Sequence, residues 1–138
     1  MRGIILPSSA EHAVKVCRNT ETMQLISANS SYDEWVAVTA FYTTIHIIEQ
    51  YFSDYQVPIV SPEFRNLGEP NNHRERRETL HLLMQKGKIP QKLRSKYRLL
   101  ANAANIARYE SMDEFNRQFA TRIQELLEIV AEFRKTLP

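Results

Sequence analysis

Between Ser31 and about Phe52 the chain offers almost no polar face. Trp35, Val38, Phe41, Tyr42, Ile45, Ile48 and Phe52 recur at three- and four-residue steps, and Val36, Ala37, Ala40 and Ile47 occupy much of the remaining circumference. A helix built from this stretch escapes water only if other elements surround it, so the pattern predicts a central helix. Ser31-x-x-Glu34 supplies a capping-box start for it.

The surrounding elements are also expected to be helices. Three glycines in 138 residues, no Asn-Gly or Asp-Gly pair and no alternating apolar pattern leave little material for a sheet. A first helix is expected over about Ser9–Ser27, behind Pro7, with Ser8 or Ser9 as N-cap. Its apolar positions Ala13, Val14, Cys17 and Ile26 are sparse, which places it on the outside. A long break follows the central helix, from Ser53 to Asn72, with Pro58, Pro62, Gly68 and Pro70. The third helix is expected over about Asn72–Gln85, stopped by Lys86-Gly87. The fourth runs over about Gln91–Tyr109, with Leu93, Tyr97, Leu100, Ala104 and Ala107 on one seam.

The last helix opens with a second capping box, Ser111-x-x-Glu114. Phe119, Ile123, Leu126, Val130, Phe133 and Leu137 then follow a heptad, which serves either as a core seam or as a dimerisation face. The expectation is therefore a single all-α domain over residues 1–138, an up-and-down bundle of four to five helices. With 43% apolar and 25% charged residues, the chain has the composition of a folded domain. Cys17 is the only cysteine, so no internal disulfide forms, and the apolar run before Pro7 is too short for a signal peptide or a membrane span. A cytoplasmic protein without a membrane partner is expected.

Charge is distributed unevenly. From His73 to Arg98 there are nine Lys/Arg against Glu75 and Glu78, a net +7 that leaves −5 for the rest of a chain whose total is +2. Such a basic segment is either a solvated helix face or a surface for a polyanion such as RNA, with Lys92 and Lys96 as phosphate contacts. Placed on a helical wheel, Glu49 falls inside the apolar arc of the central helix, with Tyr42 and His46 beside it. Leu80, Leu83 and Met84 mark the inner face of the third helix, and His73, Arg76 and Arg77 lie on or beside that face. Both helices thus aim polar groups at one interior region. It is either a buried ion-pair network, Glu49 with Arg76 or Arg77, or an anion pocket at the start of the third helix, rimmed by the long loop.

Other chemistries lack their parts. Glu78-x-x-His81 is half of a di-iron carboxylate pattern, but no second Glu-x-x-His exists, so no metal and no cofactor are expected. There is no Gly-x-Ser-x-Gly elbow, no phosphate-binding glycine motif and no base assigned to Cys17. Arginine with histidine remains, a pair able to take a 2′-hydroxyl proton and stabilise charge on phosphorus.

Ala40-Phe41-Tyr42-Thr43-Thr44-Ile45-His46, His73-Arg74-Glu75-Arg76 and Ala107-Arg108-Tyr109 together resemble small bacterial members of the HEPN (higher eukaryotes and prokaryotes nucleotide-binding) superfamily. The resemblance implies a helical bundle that dimerises. It also implies metal-independent RNA cleavage through an Arg-x(4–6)-His motif, in toxin–antitoxin or defence systems with an antitoxin or nucleotidyltransferase partner. Arg76-x4-His81 and Arg74-x6-His81 fit that spacing. His81 or His73 is then the base, and Arg76 or Arg77 stabilises the phosphate. Tyr42, His46, Glu49, Arg74, Arg108 and Tyr109 are the expected binding residues. The alternative is a non-catalytic HEPN module that binds a nucleotide, RNA or a protein through the same pocket.

Overall fold

A computed structural model of the chain describes residues 9–28, 30–57 and 69–137. These residues form six α-helices and no strand: α1 (Ser9–Ser27), α2 (Asp33–Asp54), α3 (Glu69–Gln85), α4 (Lys92–Tyr109), α5 (Met112–Phe119) and α6 (Ile123–Thr136). Helix α2 is the axis of the fold. Val36, Ala37, Ala40, Thr43, Thr44 and Ile48 are all fully buried on it, pointing in several directions, because α1, α4 and α6 each pack against it. Helix α1 folds back antiparallel: Ser9 at its start bonds Asp54 at the end of α2, and His12 meets His46.

Six helices correct the expectation of four to five. The segment expected as one final helix divides into α5 and α6 at Ala120–Thr121–Arg122, where Arg122 leaves helical geometry (φ −117, ψ 8) and its N–H bonds the Phe119 carbonyl. The two pieces serve different neighbours. Phe115 and Phe119, with ring centroids 5.6 Å apart, are buried where α5 meets α4, while α6 lies chiefly on α2. Arg122 secures the corner, its guanidinium lying over the Phe119 ring and bonding Glu125 at 2.8 Å. The heptad conceals this corner because Phe119 and Ile123 remain four residues apart across it. Leu126, Val130, Phe133 and Leu137 are all buried and Ile123 half-buried, so the heptad is a core seam of the protomer and leaves no free apolar face for a second copy.

Several local expectations change. Helix α2 begins two residues after Ser31, behind a 3-10 turn (Ser30–Tyr32), with Tyr32 at the N-cap and no side-chain capping bond. The second capping box does form, Ser111 Oγ accepting from the Glu114 N–H at 3.1 Å. Trp35, expected to face inward, is 57% exposed in the first turn of α2. On α1 the buried positions are His12, Val16 and Met23, a face rotated away from Val14 and Cys17, which are exposed. Helix α3 starts at Glu69, before Pro70, because a first-turn proline sacrifices only an N–H that had no partner within the helix. It ends as expected at Gly87, whose φ of +73 a residue with a Cβ adopts only at a cost. The expected N-cap at Ser8 and most of the proline-rich loop lie outside the described residues. Among those described, no helix is long and apolar enough to cross a membrane.

Candidate functional site

Arg76 of α3 is 6% exposed, and a charge so placed must be matched. Its Nε donates to Glu49 Oε1 of α2 at 2.9 Å, its Nη1 lies 3.1 Å from His73 Nδ1, and its charge acts on the nearby Tyr97 hydroxyl of α4. Of the two expected ion-pair partners for Glu49, Arg76 is the one in contact. Burial raises the Tyr97 phenol pKa and the neighbouring Arg76 charge opposes that rise. One guanidinium therefore joins α2, α3 and α4. His73 also stacks on Phe41, centroids 6.2 Å apart, so the node is closed on its outer side by a ring pair.

Next to this node, His46 Nδ1 lies 2.9 Å from His12 Nδ1. Burial, then the His12, Lys15 and Arg76 charges, push His46 down to about 4, with Glu49 acting in the opposite direction. At neutral pH the His46 ring is uncharged, and one of the two facing ring nitrogens donates to the other.

A different set of arginines faces solvent. Arg77 follows Arg76 and so leaves α3 about 100° round, toward α4. There Arg77, His81, Arg94, Tyr97 and Arg98 line a cleft of about 380 Å³. Arg77, Arg94 and Arg98 are exposed and form no ion pair among the described residues. Among the described residues Glu78 is the only acidic side chain lining the cleft, and it bonds Arg74 at 3.0 Å. Arg77 and Arg98 also line a second hollow with Phe41, His73 and Ala101, which in turn line a third, of about 560 Å³, reaching Arg108 and Tyr109. The hollows thus form one groove along α4 from Arg94 to Arg108, about 21 Å at 1.5 Å per residue.

The lysines expected at phosphates lie elsewhere. Lys92 bonds Glu132 of α6 at 3.1 Å, and Lys96 bonds the same carboxylate. Helix α4 thus turns its lysines toward α6 and its arginines toward α3.

The expected site residues fall into three groups. Glu49, His73, Arg76 and His46 lie in or beside the buried node. Arg77 and His81 line the cleft, where His81 Nε2 is 3.1 Å from the Gln85 amide nitrogen and its buried Nδ1 has no hydrogen-bond partner. Tyr42, Arg108 and Tyr109 form an outer cluster in which Arg108 donates to both phenolic oxygens at 2.7 Å. Arg74 remains a surface residue on Glu78. Arg76 and His81 point about 140° apart round α3, and the structure does not bring them together. The expected anion pocket at the start of α3 also changes, since His73 and Arg76 stand a turn or more inside a helix that begins at Glu69. Sequence reasoning missed Arg94 and Arg98 as a pair, although their four-residue spacing puts them on one face, and it missed His12, Asn102 and Asn105. Among the described residues no group of three or more His, Cys, Asp or Glu is arranged to hold a metal ion. Comparison with known protein families, with characterised proteins and with solved structures finds no match to this chain.

Proposed function

We propose that this domain binds RNA along the groove between α3 and α4, as a HEPN-like module. The convergence of Arg77, Arg94 and Arg98 on one cleft carries the proposal, because none has an acidic partner among the described residues and three such cations repel one another until an anion lies between them. Guanidinium forks suit phosphate oxygens, and aromatic rings follow in the same groove, as in surfaces that hold single strands. Fluorescence anisotropy with a labelled single-stranded RNA tests this. Affinity should fall with salt, and each of Arg77→Ala, Arg94→Ala and Arg98→Ala should reduce the slope of log K against log salt by about 0.7. Salt-independent binding, or a triple variant that binds like the wild type, would overturn it.

A second reading, metal-independent endoribonuclease activity, is favoured by His81, an imidazole lining the same cleft as the three arginines. In this reading His81 takes the 2′-hydroxyl proton as that oxygen attacks phosphorus, Arg77 and Arg98 stabilise the phosphorane, the P–O5′ bond breaks and the departing 5′-oxygen takes a proton from water, while Arg76 and His73 act by positioning α3. Cleavage in EDTA leaving 2′,3′-cyclic phosphate ends, lost by on the order of a hundredfold in His81→Ala, is the expected outcome. RNA bound and left intact would leave the binding reading alone standing.

A further inference from the structure

The far end of the groove differs chemically from the arginine cleft. Its hollow of about 560 Å³ is lined by Phe41, Ala101, Asn102, Asn105, Arg108 and Tyr109, among others, with no carboxylate among the described residues. Tyr109 is 68% exposed, an unusual cost for a large aromatic ring, yet its position is fixed. Arg108 lies over it at 4.9 Å from the ring centroid and donates to its hydroxyl, while the other arm of the same guanidinium donates to Tyr42 of α2. An exposed ring covered on one face by a guanidinium, which is itself tied to Tyr42, is a platform with the other face available. Beside it, Asn102 and Asn105 are three residues apart on one face of α4, are exposed, and make no hydrogen bond among the described residues.

We infer that this end of the groove is a base subsite that takes one unpaired adenine, stacked on Tyr109 and read by the carboxamides of Asn102 and Asn105. The inference rests on the RNA-binding reading and adds base preference to it. A carboxamide offers a donor and an acceptor side by side, the complement of the adenine N6 amino group and its neighbouring ring nitrogen. Guanine is matched by an arginine fork, but both terminal nitrogens of Arg108 are engaged by tyrosine hydroxyls. An unpaired cytosine presents the same donor–acceptor pair, so the preference for adenine rests on its larger ring, which stacks on Tyr109 and reaches the carboxamides at once. A base can enter only if it is unstacked and unpaired, so the ligand is single-stranded at this point.

The test uses the intact chain and three probes at one salt concentration: oligocytidylate, the same strand with one central adenine, and inorganic polyphosphate. The adenine should strengthen binding about tenfold, a difference of about 1.4 kcal/mol. In Asn102→Ala/Asn105→Ala that ratio should fall to about one, with polyphosphate affinity unchanged. Tyr109→Leu should act likewise and Tyr109→Phe should keep most of the preference. All three positions substituted are exposed, and circular dichroism confirms that each variant folds. Binding of all three probes with no adenine preference, or a preference that survives the double variant, overturns the base subsite while leaving groove binding intact. If a fourth probe, adenosine monophosphate, binds but polyphosphate and both strands do not, the subsite stands and the RNA reading falls. If nothing binds, both fall.

Discussion

Replacing Glu49 by leucine removes one half of a buried ion pair and isolates the function of the node from that of the groove. Both side chains are 7% exposed and the Arg76 Nε to Glu49 Oε1 distance is 2.9 Å, so little water screens the pair. In Glu49→Leu the guanidinium keeps His73 and Tyr97, but neither neutralises its charge. An uncompensated buried charge costs on the order of 3–5 kcal/mol, and the two remaining neutral acceptors place the expected loss near the lower figure, about 3 kcal/mol. For a chain of 138 residues that corresponds to a fall in Tm of about 10 °C. Glu49→Leu/Arg76→Met removes both charges and should recover most of the loss, because apolar replacements of similar volume dispense with the desolvation cost of the pair. Urea unfolding followed by circular dichroism at pH 7 measures all three proteins, provided the transitions are two-state. A loss below about 1 kcal/mol in Glu49→Leu, or a double variant no more stable than the single, would refute the claim that this pair is a desolvated, charge-matched core contact.

Acid should weaken the fold through His46. Its ring stays neutral in the folded chain down to about 4 while an unfolded histidine takes its proton near 6.5, so below that value the unfolded state binds more protons and stability falls as pH falls from 6.5 toward 4. The half-buried ring is partly screened, giving a loss on the order of 1–2 kcal/mol that His46→Gln should flatten in urea unfolding curves across that window. Gly87→Ala meets no atom within 4 Å, so its expected cost of about 1 kcal/mol comes from the positive φ alone; an unchanged midpoint would count against that account. Phe133→Ala should cost about 3–5 kcal/mol by cavity formation and lower the midpoint at every protein concentration, whereas a concentration-dependent midpoint would point to an interface at this seam.

How much was legible in the sequence depended on whether one helix alone carried the signal. The central position of α2, the stop at Gly87 and the seam Leu93, Tyr97, Leu100 and Ala104 are properties of single helices, and apolar periodicity or a glycine reports them directly. The inward aim of Glu49 was likewise visible on a wheel. The corner between α5 and α6 was not, because the heptad keeps its phase through Ala120–Arg122 and only the different neighbours of Phe119 and Leu126 require a bend. The His12–His46 contact was hidden for another reason. Helix α1 has too few apolar residues to declare its inner face, and the face is set by what α2 presents to it. The groove is hidden in the same way, since Arg77 lies on one helix and Arg94 and Arg98 on another.

The adjacent arginines of α3 explain how a groove lined by mutually repelling cations keeps its shape. Arg76 turns inward and ties α3 to α2 through Glu49 and to α4 through Tyr97, the two walls of the groove and the helix behind them. Arg77, one residue on, is left facing the opening between those walls. Unbound, Arg77, Arg94 and Arg98 tend to push α3 and α4 apart, by an amount that water screens to no more than about 1 kcal/mol per pair at contact distances. The buried node resists with an interaction several times larger, because Arg76 and Glu49 lie where screening is weak. The groove is therefore preorganised: an entering phosphate gains the attraction of three cations without closing the helices around itself. In Glu49→Leu/Arg76→Met, which keeps a neutral, packed core, α3 loses its polar link to Tyr97, so on the RNA-binding proposal the affinity measured by anisotropy should fall even where stability does not, and an unchanged affinity would refute the preorganisation.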